Sequence, residues 1–359
     1  MNKTVKIIKN TNSPIINYIS SKINRSLKSY APSVNLNLVT IKSGINKTLR
    51  GCNPKRALQL KEILKIPTPD KKCIAYNTEK GIQIMLNRLK HNKHINIKNL
   101  VPPRQEDGNC WFNTMFMTFF VSDKGRKFFH FFRQLMIVGK LYNGTVMPKN
   151  LKEAFALFNY AVDSAISGGP GAYMIDTNYI ISEIYENIPE NIRGQFIPDV
   201  GDAGNPLYYY KTIIHYLNSS EIKMINISMH NTEWKTMLNT YVTPNQKMPH
   251  IITVEISDDL SMVNNNKPNK FKIHEATYAL DSIIIRDTSK MHFSAVLTCA
   301  GKDYAYDGMS FHKIVQMNWK NQINTSKIWE YEGSDDIDGN LLKWNFMQGY
   351  QILMYYRIK

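Results

Sequence analysis

Apolar periodicity changes once along this chain, near residue 222, and that switch limits the folds open to it. Before it, apolar residues recur at helical spacing; after it, they gather in short β-branched runs. Asn53-Pro54 offers an N-cap followed by proline at the first helical position, which predicts a helix to about Lys65, stopped by Pro67-Thr68-Pro69. A second helix is predicted from Thr78 to Leu89, with Ile82, Met85, Leu86 and Leu89 on one stripe. A strongly apolar helix follows Cys110, another ends near Gly139, and two more cover 151–165 and about 176–187. Strands are predicted at Ile251 to Ile256, Ser282 to Ile285, Phe293 to Leu297, Tyr304 to Tyr306 and Tyr350 to Tyr356. Helices first and antiparallel strands second is an α+β signature. Residues 1–52 read as loosely structured, with a short apolar alternation from Val34 to Val39.

Charge divides the chain differently. Residues 1–100 hold 20 Lys and Arg against Glu62, Asp70 and Glu79, a balance of +17; the remaining 259 residues hold 25 basic and 26 acidic, a balance of −1. Such asymmetry predicts a basic N-terminal region, 1–100, that meets an anionic partner, a nucleic acid or an anionic membrane surface. Val101-Pro102-Pro103 reads as the boundary with a second unit, 101–359. No base- or phosphate-reading motif accompanies the charge, so a nucleic-acid-binding protein is the weaker reading of the whole chain.

The four cysteines, Cys52, Cys73, Cys110 and Cys299, include no Cys-x-x-Cys pair, which argues against a zinc ribbon or a dithiol redox motif. Four in 359 residues make no disulfide framework, so reduced thiols and an intracellular setting, cytoplasmic or nuclear, are expected. The N-terminus lacks a secretory apolar core, and no run reaches the 18 apolar residues of a membrane span. Neither a cofactor nor a metal is expected.

The chemistry concentrates at Cys110. In Gln105-Glu106-Asp107-Gly108-Asn109-Cys110-Trp111-Phe112, a polar turn runs straight into an apolar helix. Cys110 then sits at the helix N-terminus, where unpaired N–H groups and the positive dipole end favour negative charge on sulfur. A thiolate there is a nucleophile. Gln105, five residues earlier, could curl back so that its amide and the Cys110 N–H hold a developing oxyanion. An inert buried cysteine is the ordinary alternative for a lone thiol.

A second constellation favours catalysis. Met291-His292-Phe293-Ser294-Ala295-Val296-Leu297 is an alternating strand that begins at a histidine. A turn at Ala300-Gly301-Lys302-Asp303 follows, and Tyr304-Ala305-Tyr306-Asp307 returns. Such a hairpin brings Asp307 back toward His292, where a carboxylate would fix the tautomer and orientation of the imidazole.

Residues 101–357 resemble the ubiquitin-specific proteases, a branch of the papain-like deubiquitinases. Gln105, Cys110, Trp111, Asn113 and Thr114 match the Cys block, and Met248-Pro249 with Ile251 to Ile256 is similar to the strand before the His box. Tyr278 to Ile285 with His292-Phe293-Ser294-Ala295 resembles the His box, Asp307 falls on the first Asp of the family's Phe-Asp-Asp, and Gly349 to Arg357 resembles the closing strand. The family usually has Gly where Met291 stands and a second Asp where Gly308 stands; its Gln-Asp-Ala helix is not recognisable near Asp176, and its zinc-binding fingers have no counterpart. Asp-Gly-Asn-Cys also resembles the turn before the nucleophile of ovarian-tumour-type deubiquitinases, which share the triad.

The resemblance implies a papain-like α+β fold, with a helical lobe carrying Cys110, an antiparallel sheet carrying His292 and Asp307, and the basic N-terminal region added. It implies a Cys110–His292–Asp307 triad with Gln105 in the oxyanion hole. The implied activity is cleavage after the C-terminal glycine of ubiquitin or a ubiquitin-like modifier, with modifier conjugates as partners. The alternatives are a polyprotein-processing protease of the same fold, or an inactive binding or structural module. The Asn, Lys and Ile bias suits a large DNA virus.

Overall fold

A computed structural model of the chain describes residues 52–359, except 71, 93, 106, 170–171, 173, 194–205, 218–222, 230–233, 245–246, 258–265 and 311–312. The Val34 to Val39 alternation lies outside the described residues. Two short strands, β1 (Lys65–Pro67) and β2 (Cys73–Ala75), pair antiparallel ahead of helix α1 (Glu79–His91).

The helix predicted from Asn53 to Lys65 does not form; a single 3₁₀ turn, Ala57–Gln59, stands in its place. The Asn53 side chain caps nothing. Its Nδ2 donates to the Lys65 carbonyl at 2.8 Å and its Oδ1 accepts the Lys65 N–H at 2.7 Å, closing the segment into a loop. That loop and the β1–β2 pairing bring Cys52 and Cys73 to a Cα separation of 5.4 Å, where they form a disulfide. The expectation that all four thiols stay reduced is therefore corrected.

Helix α1 starts where the sequence places it. The Thr78 hydroxyl accepts the Gly81 N–H. Met85 and Leu89 are buried, while Ile82 and Leu86 pack at the edge of the same core. Around them Lys61, Lys65, Lys72, Lys80 and Lys90 stay exposed.

Next comes α2 (Cys110–Phe116), which widens into one π turn at Met117–Val121, every residue of both being buried. Ser122 caps α3 (Asp123–Val138) by accepting the Gly125 N–H. Helices α4 (Lys149–Ser167), α5 (Thr177–Asn187), α6 (Glu190–Arg193) and α7 (Pro206–Tyr216) complete this lobe. Phe112, Phe116, Phe119, Phe120, Phe158 and Tyr210 interlock beneath α2. Each buried ring contributes about 1.5–3 kcal/mol. Arg133 on α3 donates to Asp163 on α4 at 2.6 Å, and Asn92 at the end of α1 donates to the same oxygen at 2.6 Å. Leu100 and Val101 are buried, and the Val101 N–H donates to the Ala165 carbonyl at 2.8 Å.

The second half of the chain forms an eight-stranded sheet. Its strands are β3 (Met224–Met229), β4 (Ile251–Ile256), β5 (Lys270–Ile273), β6 (Ala276–Arg286), β7 (Phe293–Cys299), β8 (Lys302–Tyr306), β9 (Val315–Gln316) and β12 (Gln351–Arg357). The order is β3-β4-β12-β6-β7-β8-β9, with β5 on β6; among the described residues only β3 and β4 pair parallel. Helix α8 (Trp234–Tyr241) connects β3 to β4, and the hairpin β10 (Ile328–Asp335) and β11 (Leu341–Asn345) forms a separate two-stranded sheet.

The central strands are buried on both faces, so they read as continuous apolar runs. Ile284, Ala295, Leu297, Ile352 and Met354 face the helical lobe. Ile283, Ile285, Val296, Leu353 and Tyr355 face a second core shared with Trp234, Trp319 and Trp344.

Two carboxylates dock the lobes reciprocally. Asp281 of β6, fully buried, accepts the Lys124 and Gly125 N–H groups at the start of α3, at 2.9 and 3.3 Å. In return, Asp123 of α3 accepts the Ala300 and Gly301 N–H groups of the β7–β8 turn, both at 2.9 Å. Asp281→Ala would take the acceptor from the Lys124 N–H and leave Gly125 to Ser122 alone, and a loss of about 3 kcal/mol is expected in urea unfolding. An unchanged urea midpoint would rule out a docking role for Asp281.

Candidate active site

The turn before α2 is built from side chains. Asp107 adopts a left-handed conformation with φ 51°. Asn109 is buried and donates to the Thr177 hydroxyl at 2.9 Å; that hydroxyl donates to Asn113 Oδ1 at 2.8 Å. Asn113 closes the ring by donating to Asn109 Oδ1 and to the Arg104 carbonyl, both at 3.1 Å. This ring fixes Cys110 as the first residue of α2, 9% exposed.

His292 arrives from the sheet. The β7–β8 register pairs Ala295 with Tyr306, so the residues just beyond, His292 on one strand and Asp307 on the other, meet at the same end. His292 Nε2 donates to Asp307 Oδ1, with both residues buried. The Cys110 thiol lies close enough to raise the imidazole's pKa by hydrogen bonding and by charge, and Nδ1 is the ring nitrogen that Asp307 leaves open to it. Met309 and Ser310 N–H groups hold the two oxygens of Asp307, at 3.4 and 3.1 Å. Trp344 of β11 meets the imidazole edge-on at 6.0 Å.

Gln105 lies beside this trio. Its backbone N–H donates to the Gly308 carbonyl at 3.4 Å and its side-chain amide to the Asp107 carbonyl at 3.3 Å, while Oε1 is buried without a hydrogen-bond partner. A Cβ on Gly308 would lie 2.9 Å from the Tyr306 hydroxyl and 3.2 Å from Gln105 Cβ. A side chain there would first crowd the Tyr306 hydroxyl and then press on Gln105.

Burial works against a charged His292, but Asp307, by charge and hydrogen bond, and then Cys110 outweigh it and push the pKa up to about 10. Burial likewise pushes the Asp307 carboxyl up; His292, the Ser310 hydroxyl and the Met309 N–H overcome that and hold it below the usual carboxylate range. The two signs differ. The stability contributed by His292 is complete below its unfolded value of about 6.5 and is lost as pH rises toward about 10. That of Asp307 is present above its unfolded value of about 3.9 and is lost on acidification. In ¹⁵N NMR the His292 ring is expected to stay imidazolium at neutral pH and titrate near 10, and to titrate lower in Cys110→Ala, because both thiol contributions raise it. A wild-type ring titrating near 6.5 would contradict this electrostatic reading.

The structure brings Cys110, His292 and Asp307 together and sets Gln105 at their edge. Sequence reasoning passed over Thr177, Trp344 and Asp287. Only Asp287 had a local signal, as the Asp of an Asp-Thr-Ser turn just before His292. Among the described residues no group of three or more His, Cys, Asp or Glu is placed to hold a metal ion. Among them, too, no helix is long and apolar enough to cross a membrane.

No family model and no curated protein matches the sequence. Solved structures similar to it include the Ubp8-Sgf11-Sgf73-Sus1 SAGA DUB module, at 8% identity and TM-score 0.43, covering 81% of this chain and 76% of that one. The same module bound to ubiquitin aldehyde is similar at 10% identity and TM-score 0.41, covering 81% and 78%. An essential yeast splicing factor is similar at 10% identity and TM-score 0.30, covering 85% and 87%.

Proposed function

We propose that this chain is a cysteine protease that cleaves after the C-terminal glycine of ubiquitin or a ubiquitin-like modifier. One observation carries the chemistry: a buried imidazole bonded on one nitrogen to a buried carboxylate lies beside a cysteine at the start of a buried helix. The substrate rests on the blocks around Gln105, Cys110, His292 and Asp307, which resemble ubiquitin-specific proteases.

Attack requires Cys110 as its thiolate, with a protonated His292 beside it. The thiolate adds to the scissile carbonyl carbon, and the oxygen takes the electron pair. The Cys110 N–H and the Gln105 amide, swung from the Asp107 carbonyl, receive that oxyanion. As the intermediate collapses, the C–N bond breaks and His292 gives its proton to the leaving amine. Water then attacks the thioester carbon, giving one proton to His292; the C–S bond breaks, the thiolate is restored beside the protonated His292, and the released acid ionises in solvent. Asp307 stays ionised and holds the ring.

The test is release of a fluorophore amide-linked to the C-terminal glycine of ubiquitin or of a ubiquitin-like modifier. Release lost in Cys110→Ala supports the reading. No release from any such modifier, alongside cleavage of unrelated Gly-x peptides, points to polyprotein processing; cleavage of neither points to an inactive module.

Residues 1–100 we read as a basic region for an anionic partner, carried by their balance of +17. Retention on duplex DNA or anionic vesicles should fall steeply with salt; retention that ignores salt would remove this reading.

A further inference from the structure

We propose that Asp287 is the positioning residue of this site: its buried carboxylate gathers the backbone of the β6–β7 connection so that His292 is presented to Cys110 and Asp307. The proposal rests on the cysteine-protease reading above and assigns it a fourth acidic or basic group, one that touches no reacting atom.

Asp287 follows the last residue of β6 and is fully buried. Its Oδ1 accepts the Met291 N–H at 2.7 Å and the His292 N–H at 2.6 Å, and its Oδ2 accepts the Ser289 N–H at 2.7 Å. Its own N–H donates to the His292 carbonyl at 2.9 Å. One residue therefore holds His292 by both backbone groups, while its side chain captures the loop between them. The turn is completed by Lys290 in a left-handed conformation, φ 64°, with its N–H on the Asp287 carbonyl at 3.1 Å. From outside, Thr288 N–H donates to the Lys343 carbonyl at 2.8 Å, tying the loop to β11, whose Trp344 lies against the imidazole.

This division of labour differs from that of Asp307. Asp307 binds the ring and sets its charge; Asp287 binds only main chain and sets where the ring starts from. Three N–H bonds to one carboxylate are charge-assisted and directional, which suits a fixed loop. Substituting Asp287 leaves the buried His292 N–H, and with it the N–H of exposed Met291, without this acceptor, and the chain must move to find another for His292. The movement displaces a base that works at hydrogen-bond range, and a misplacement of about 1 Å costs roughly a hundredfold in rate.

The experiment uses the full chain and three variants, Asp287→Ala, Asp287→Asn and Asp336→Ala. Asp336 makes similar loop bonds, to the Asp338 and Asn340 N–H groups at the tip of the β10–β11 hairpin, and serves as the control. Two readouts are taken well below each melting temperature: kcat and KM on the modifier–fluorophore amide, and alkylation of Cys110 by iodoacetamide, which needs no modifier. Asp287→Ala is expected to lower kcat roughly a hundredfold with KM within about threefold, and to slow Cys110 alkylation at neutral pH. Asp287→Asn keeps one acceptor oxygen and is expected to fall between, which also covers the case in which Asp287→Ala does not fold. Asp336→Ala should leave both readouts unchanged. Alkylation and kcat that stay at wild-type values in folded Asp287 variants overturn the proposal. If the wild type releases no fluorophore yet alkylation still slows in Asp287→Ala, positioning stands and the substrate reading fails.

Discussion

Cys110→Ala is expected to abolish fluorophore release from a ubiquitin C-terminal amide, with kcat down by about 10⁵-fold or more. No other described thiol can take over. Cys52 and Cys73 are joined, and Cys299 is buried with its sulfur directed at the Val121 carbonyl at 3.5 Å. Burial also pushes the Cys299 thiol up to about 12, far from a reactive thiolate. The variant loses one small buried side chain at the start of α2, so its unfolding free energy should fall by only about 1 kcal/mol. Steady-state kinetics on refolding-competent protein checks the first statement and urea unfolding the second. Full activity in Cys110→Ala would remove the nucleophile assignment.

His292→Ala is expected to cost nearly as much as losing Cys110, because triad members act as a unit. Asp307→Asn should be milder, roughly a 10⁴-fold loss in kcat. An amide at 307 can still meet the imidazole, but it cannot balance an imidazolium. The double variant should be little worse than His292→Ala alone; a fully additive loss would mean that Asp307 acts elsewhere. Asp307 also accepts the Met309 and Ser310 N–H groups, so Asp307→Ala would add a folding cost that Asp307→Asn largely avoids.

Local signals carried most of the site. The start of α2 was legible because the polar residues Gln105 to Asn109 change abruptly to an apolar helix at Cys110. His292 and Asp307 were legible as the two ends of a hairpin whose register the residues themselves leave open. The turn is tighter than the four residues Ala300 to Asp303: Ala300 and Gly301 alone form it, with Lys302 and Asp303 already in β8 and Ala295 paired with Tyr306. The α1 stripe and the Gly139 stop were equally local, Gly139 ending α3 at φ 70°.

What stayed hidden depends on distant partners. Asn53 carried a cap signal, yet Lys65 outcompeted the helix for both ends of its amide, and no local pattern announces that exchange. The Cys52–Cys73 pairing followed from the same loop. Thr177 joins the Cys110 turn from a helix start 64 residues beyond Asn113, and Trp344 reaches His292 from a separate hairpin. Gln105 was read as an oxyanion donor, and here its amide rests on the Asp107 carbonyl, a position it must leave to act.

The most direct measurement is covalent capture. The full chain is incubated at neutral pH with ubiquitin, or a ubiquitin-like modifier, whose C-terminal glycine carries a thiol-reactive electrophile, and the adduct is mapped by peptide mass spectrometry. One modifier per chain, attached at Cys110 and lost in both Cys110→Ala and His292→Ala, is the expected result. No adduct with any such modifier, or an adduct at Cys299, would contradict the assignment of this site as a modifier-cleaving cysteine protease.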